Sequence, residues 1–173
     1  GRVGFMELDV FLGSDYLVTI QKGKLKPMRD FYYKMQNSAG YRKTCFGESA
    51  GYLLYRILDV LYKDTRSITN YVSKKLRDLE DEVYEDESKE STAKRIAYLR
   101  RKILGLKRIF DPQNEVLSDL SQLKAKFLAE DLNVYFDDID DYVEKVVNFL
   151  ENQKYVLKDL LEVHDSLITH TRA

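Results

Sequence analysis

From Leu132 to Ala173 apolar and polar positions repeat in sevens, with no Gly and no Pro to interrupt them. Phe136, Val143, Leu150, Leu157, His164 and Thr171 share one position of the repeat. Ile139, Val146, Gln153, Leu160 and Leu167 share the other, which gives the 3,4 spacing of a coiled-coil seam. Tyr135, Tyr142, Phe149, Val156 and Val163 flank the seam and widen it. As a helix these 42 residues extend about 63 Å at about 1.5 Å per residue. That is longer than a small domain is wide, so the spacing predicts a stalk, part of which meets other copies or continues elsewhere. The pattern is still running at Thr171-Arg172-Ala173, and the chain opens on Gly1 rather than Met. Both features predict a piece of a longer chain.

Residues 1–47 are the β-like part. Met6 to Leu12 and Tyr16 to Ile20 are rich in apolar, β-branched and aromatic residues, and Gly13-Ser14-Asp15 between them has turn composition, which predicts a hairpin. Met28, Phe31, Tyr32 and Met35 fall at helical spacing and predict a short helix over Pro27 to Gln36. Arg42 to Phe46 reads as a further strand. So few strands do not make a stable sheet alone, so helices cover them or other strands complete them.

Beyond Ser49 the pattern turns helical. Leu54, Leu58, Leu61, Thr65, Ile68, Val72, Leu76, Leu79 and Val83 are spaced by three or four and predict one helical stretch to about Tyr84. Seven acids lie between Glu80 and Glu90. A hairpin tip is predicted at Asp86–Glu90, with Ser88 and Ser91 as candidate N-caps. A return arm from Thr92 carries Ile96, Leu99, Ile103, Leu106, Phe110, Gln113, Leu117, Leu120 and Phe127 in one frame. Pro112 lies inside that frame. The frame survives across it, which favours a kinked helix over two separate ones. Seven bases between Lys94 and Arg108 face the acids of the outgoing arm if the hairpin is antiparallel, a surface pairing worth about 0–1 kcal/mol per pair.

The whole reads as an α+β, mostly helical fold: residues 1–47 the end of an α/β subdomain, 48–130 a long helical hairpin, 131–173 the stalk. Composition narrows the function. Charged residues make up 33% of the chain, as long helices with solvated faces require, yet the net charge is −1. That balance gives no pull toward nucleic acid or anionic lipid. Cys45 is the single cysteine, so no internal disulfide forms, in keeping with a reducing compartment. No run of about 18 apolar residues is present to span a bilayer. There is no nucleophile–base constellation, phosphate-cradling glycine loop or C-x-x-C, so nothing in the chain supports an enzyme.

The densest polar constellation is Asp137, Asp138, Asp140 and Asp141 at the start of the stalk. Carboxylate oxygens are the ligands Mg²⁺ and Ca²⁺ prefer, and Asp137 and Asp141, or Asp138 and Asp141, are neighbours on a helix. The same acids also suit a solvated helix start at the positive end of the helix dipole. Asp137-Asp138-Ile139-Asp140-Asp141 fits the DDxxD pattern of prenyl-diphosphate synthases, but no second aspartate cluster accompanies it. Asp59, among Tyr55, Ile57, Leu58, Val60 and Leu61, is either on the exposed side of its turn or holding something. His164 and His170 lack partners at zinc-finger spacing; a polar residue such as His164 in a seam can set register or oligomeric state.

Taken in order, Val10-Phe-Leu-Gly-Ser-Asp-Tyr-Leu-Val-Thr-Ile20, Tyr52-Leu-Leu-Tyr-Arg-Ile-Leu-Asp-Val60, Leu79-Glu-Asp-Glu-Val83, Leu99 to Arg108, Pro112 to Leu117 and Tyr135-Phe-Asp-Asp-Ile-Asp-Asp141 resemble the cytoplasmic domain of CorA-type magnesium transporters. The resemblance runs from Val10 to the end. It implies a homopentameric channel of the cell (inner) membrane for Mg²⁺, with Co²⁺ and Ni²⁺ also transported, and this part on the cytoplasmic side. Its contact with the membrane runs through transmembrane helices that follow the stalk, beside the family's Gly-Met-Asn signature, which does not occur in these residues. It also implies a divalent-cation sensor between subunits, with Asp138 and Asp141 matching the stalk aspartates and Asp59 matching the aspartate of the family's Leu-Leu-Tyr segment. Where the family has a His after the second stalk aspartate this chain has Tyr142, which removes a ligand for softer ions. The facing acids of the neighbouring subunit fall upstream of this stretch, so the site here is expected to be incomplete and its affinity lower. A ZntB-like zinc transporter shares the same architecture, and a coiled-coil scaffold without ligand is the remaining alternative.

Overall fold

The computed structural model describes residues 4–85, 90–123, 128 and 131–173. In chain order its elements are β1 (Leu8–Leu12), β2 (Leu17–Gln21), α1 (Lys26–Asn37), α2 (Ala39–Phe46), α3 (Ala50–Lys63), α4 (Arg66–Tyr84), α5 (Glu90–Ser121) and α6 (Asn133–Arg172). They form two compact units from non-consecutive stretches: Gly1–Thr65 with Leu117–Asp140, and Arg66–Val116 with Asp141–Ala173.

In the first unit β1 and β2 are the predicted antiparallel hairpin, with Leu8 opposite Gln21 and Leu12 opposite Leu17. The turn is closed by Gly13 N–H donating to the Tyr16 carbonyl at 2.9 Å. The Tyr16 ring lies where a Cβ on Gly13 would stand, so a side chain there displaces the ring. Gly23, after β2, has φ +83°, a left-handed conformation that glycine adopts without strain. Alternation along the strands splits their side chains by face. Leu8, Val10, Leu12 and Leu17 pack inward on two clusters, one around Phe31, Met35, Cys45 and Ile57, the other around Leu54, Leu132 and Phe136. Phe11, Val18 and Ile20 remain exposed on the opposite face.

The predicted short helix is α1, opened by Pro27 in its first turn. Arg42 to Phe46 is not a strand but the body of α2. Ser38 caps that helix, its hydroxyl accepting from the Tyr41 N–H at 3.2 Å. Arg42 then donates from Nη1 to the Met35 carbonyl at 2.9 Å, satisfying the end of α1. Helix α3 starts in the same way, with Ser49 accepting from the Tyr52 N–H at 3.0 Å. The single helical stretch predicted from Ser49 to Tyr84 is broken: α3 ends at Lys63 and α4 begins at Arg66. Thr65 makes the break, its N–H folding back on the Tyr62 carbonyl at 3.0 Å in an i→i−3 bond that tightens the last turn.

The second unit is built from stripes. Val72, Leu76, Leu79 and Val83 are buried on α4, and Ile96, Leu99, Ile103, Leu106 and Phe110 on α5. Glu82 pairs with Arg95 and accepts from the Thr92 hydroxyl, while Lys102 donates to the Tyr71 hydroxyl at 3.1 Å. Ascending α4 therefore matches descending α5, and the two arms are antiparallel. Helix α5 runs unbroken through Pro112, where the Gln113 side chain donates to the Ile109 carbonyl at 2.9 Å. Ser91 lies inside α5 rather than capping it; Ser88, like Phe127, falls outside the described residues.

Helix α6 is the predicted stalk. Its seam is buried in the predicted frame through Phe136, Ile139, Val143, Val146, Leu150, Leu157, Leu160 and His164, then fades to a half-buried Leu167 and an exposed Thr171. That much of the seam is covered within one chain, and α6 contributes its first turns to one unit and the remainder to the other. No described helix is long and apolar enough to cross a membrane.

Candidate metal centre

Asp59 sits in the third turn of α3. Gly51, Leu54 and Ile57 bury the inner face of that helix, which turns the Asp59 carboxylate to the margin of the face. It is neither plainly exposed nor idle. Its side chain is 27% exposed, and its Oδ2 accepts from Lys63 Nζ at 2.7 Å, one helical turn on.

The stalk acids are placed by the α6 stripe. Phe136, Ile139 and Val143 point inward, so Asp137, Asp138 and Asp141 face outward and are exposed, while Asp140 is half-buried. Asp138 and Asp141 are three residues apart and share a side of the helix. All three predicted ligands are hard oxygen donors of the kind Mg²⁺ accepts. They are not drawn into one cage: among the described residues no group of three or more His, Cys, Asp or Glu converges. The donor chemistry fits a divalent cation, and the donor count within a chain is partial.

Two features here were not read from the sequence. The first is an aromatic cluster. Tyr55 and Tyr135 stack with centroids 6.0 Å apart, Tyr52 meets Tyr135 edge-on at 5.4 Å, and Tyr55 meets the Phe136 ring at 6.5 Å. The Tyr135 hydroxyl also donates to Glu48 at 3.3 Å. Such ring pairs contribute about 0.5–1.5 kcal/mol each beyond the area they bury. They clamp α3 to the start of α6, and Asp59 and Asp138 each follow a clamping tyrosine by about one helical turn. The second is Lys63 itself, whose i,i+4 relation to Asp59 was visible in the spacing.

The chain is thus a two-stranded hairpin backed by helices and followed by a 40-residue final helix. Residues 2–171 match the family described as CorA-like Mg²⁺ transporter protein, and the chain belongs to that family. It is 29% identical over 121 residues to the cobalt/magnesium transport protein CorA of Thermotoga maritima, an alignment covering 70% of this chain and 34% of that protein. It is 21% identical over 164 residues to the divalent cation transporter CmaX of Pseudomonas aeruginosa, covering 95% of this chain and 48% of that one. In fold it is similar to the full-length CmaX structure, with TM-score 0.79 and 20% identity over 96% of this chain and 49% of that one. It is also similar to the CorA magnesium transporter of Methanocaldococcus jannaschii, with TM-score 0.74 and 19% identity over 90% of this chain and 48% of that one. The chain thus spans about a third to a half of the length of the relatives it matches.

Proposed function

We propose that this chain is the cytoplasmic, cation-sensing part of a divalent-cation channel that carries Mg²⁺, with Co²⁺ and Ni²⁺ as further cargo, and that it performs no enzymatic step. In this reading the channel is a homopentamer in the cell membrane, and Asp59, Asp138 and Asp141 contribute to a cation site at the boundary between neighbouring subunits. The observation that carries it is the outward placement of Asp138 and Asp141 on α6, beside the tyrosine clamp that also fixes Asp59. The carboxylates repel one another across the subunit boundary and favour separated stalks. A bound divalent cation supplies the positive charge that offsets this repulsion. The stalks then stay together at high Mg²⁺ and part when it falls. The shift is limited by the difference in affinity between the two arrangements. An affinity on the order of 10⁻⁴–10⁻³ M, usual for weak oxygen-ligand sites, keeps such a sensor within reach of cellular Mg²⁺.

The test is a thermal melt with millimolar Mg²⁺ or Co²⁺ against NaCl at matched ionic strength, which removes general screening. A ligand bound only by the folded state adds RT ln(1 + [L]/Kd), about 1.4 kcal/mol at ten times Kd. Asp138→Ala is expected to remove most of the shift. Asp140→Ala is expected to keep it, because it lies about 200° round the helix from Asp138. The opposite result sinks the assignment.

A further inference from the structure

The Lys63–Asp59 pair bears on how that site is tuned, and the inference rests on the reading of Asp59 as a ligand. Lys63 is the last residue of α3, where a cation is favoured by the helix dipole. Asp59 precedes it by four residues, the more favourable order for such a pair. The two partners are unequally covered: the carboxylate is 27% exposed and the lysine 66%. The ammonium is thus the more exposed partner of a carboxylate that is itself largely enclosed.

We propose that Lys63 is a tethered competitor for Asp59, an internal monovalent cation that a divalent ion must displace to use this carboxylate. A lysine suits the task because its ammonium is a compact charge on a flexible four-carbon stem, able to leave and return without moving the backbone. The displaced ammonium returns to solvent, where most of the Lys63 side chain already lies. The recess of about 430 Å³ that Lys63 borders is lined by Lys26 and Lys34 as well as by Asp30 and Asp64, and Asp30 is already paired with Lys26. With Lys63 on Asp59 the acid is neutralised and the helix holds its ion-free form. A divalent ion wins because it carries twice the charge and takes several oxygen ligands at once, where an ammonium takes single hydrogen bonds. The lysine thus weakens the site and moves its response to higher Mg²⁺ concentration. It also discriminates against monovalent ions, which hold no charge advantage over it.

Isothermal titration with MgCl₂ at constant ionic strength tests this on the whole chain. Lys63→Gln is expected to tighten Mg²⁺ binding about three- to ten-fold, the effect of removing a unit charge a few ångströms from a divalent ion in a screened, water-exposed setting. Lys63→Arg keeps the charge and is expected to change Kd by less than about two-fold. In an Asp59→Asn background Lys63→Gln is expected to have no effect, because nothing remains to compete for. Because Lys63 is exposed, the melting temperature without Mg²⁺ reports directly that each variant folds. Tightening that persists in the Asp59→Asn background is a general field effect and overturns the proposal. Unchanged or weaker binding in Lys63→Gln, with Asp59→Asn and Asp138→Asn still losing affinity, overturns the role of Lys63 and leaves the metal centre standing. If Asp59→Asn and Asp138→Asn bind as wild type, or if no variant binds Mg²⁺, the metal centre falls and Lys63 with it.

Discussion

The two units hold themselves together by different means. Around α1, α2, α3 and the first turns of α6 the contacts are aromatic and long-range: Phe31 against Tyr41, Tyr52 and Tyr55 against Tyr135, with Lys34 over the Tyr41 ring at 4.1 Å. In the other unit the buried positions are almost all aliphatic, repeat by three and four, and are edged by ion pairs such as Lys107 with Glu151. A heptad stripe fixes the face of a helix but not a particular point along it, because each layer resembles the next. Offset and edge-on rings fix a point. The unit that carries Asp59 and Asp138 is therefore the one built to place side chains. The striped unit is suited to length and stiffness.

The largest effects separate the two kinds of packing. Phe136 and Leu150 lie on the same seam of α6, both fully buried, one in each unit. Phe136→Ala is expected to cost about 3–5 kcal/mol and Leu150→Ala about 2–5 kcal/mol in urea denaturation. The sharper difference lies in what else changes. Phe136→Ala removes a ring that Tyr55 packs against, so the Mg²⁺-dependent shift should fall with stability. Leu150→Ala should leave that shift intact. Equal loss of the shift in both would show that point-fixing is not special to the aromatic cluster.

A smaller effect is expected where the aliphatic stripe is interrupted. His164 occupies a seam position, is 1% exposed, and its Nδ1 has no hydrogen-bond partner among the described residues. An enclosed polar atom without a partner is destabilising. Leu fills a similar volume without that atom, so His164→Leu is expected to raise stability by about 1–2 kcal/mol. His164→Ala leaves a cavity and is expected to lower it. Loss of stability in both variants would mean that the imidazole serves the seam, as a register-setting residue does.

The same contrast explains what could be read in advance. The stripes of α5 and α6 were legible because a pattern repeated over 32 and 40 residues leaves little doubt about period or face. Helix α2 was not, since five residues from Arg42 to Phe46 suit either period and the deciding signal was Ser38, three residues before the amide it caps. The break after α3 carries no Gly or Pro; it depends on a local bond from Thr65 that periodicity does not register. The hydrogen bond from Tyr135 to Glu48 joins residues 87 apart in the chain. Pairing at that distance follows from tertiary packing, so the clamp between Asp59 and Asp138 was invisible although each acid was identified.

The smallest effect tests the ionic margin of the striped unit. Hydrogen bonds from Lys107 and then Lys154 hold the Glu151 carboxyl well below its ordinary value of 4.5, at about 2. The same contact with Glu151 raises Lys107 above its ordinary value of 10.5. Because the Glu151 pKa is depressed on folding, the unfolded chain takes up its proton first as the pH falls. The contribution of Glu151 is therefore complete above about pH 4.5 and is lost as the pH drops toward 2. For Lys107 the sign reverses: its contribution is complete below 10.5 and is lost as the pH rises through its raised folded value. The pair is thus fully active across the neutral range. Other carboxylates also protonate in acid, so the informative quantity is the difference between wild type and Glu151→Gln, which removes the charge and keeps the shape. The melting temperatures of the two proteins are expected to be furthest apart near neutral pH and to converge as the pH falls from about 4.5 toward 2. The pair lies at the partly exposed margin, Lys107 15% and Glu151 33% exposed, so the gap should be modest and shrink with added salt. Curves that run parallel through this range would show that the margin of the striped unit contributes nothing and that its stripe alone carries the fold.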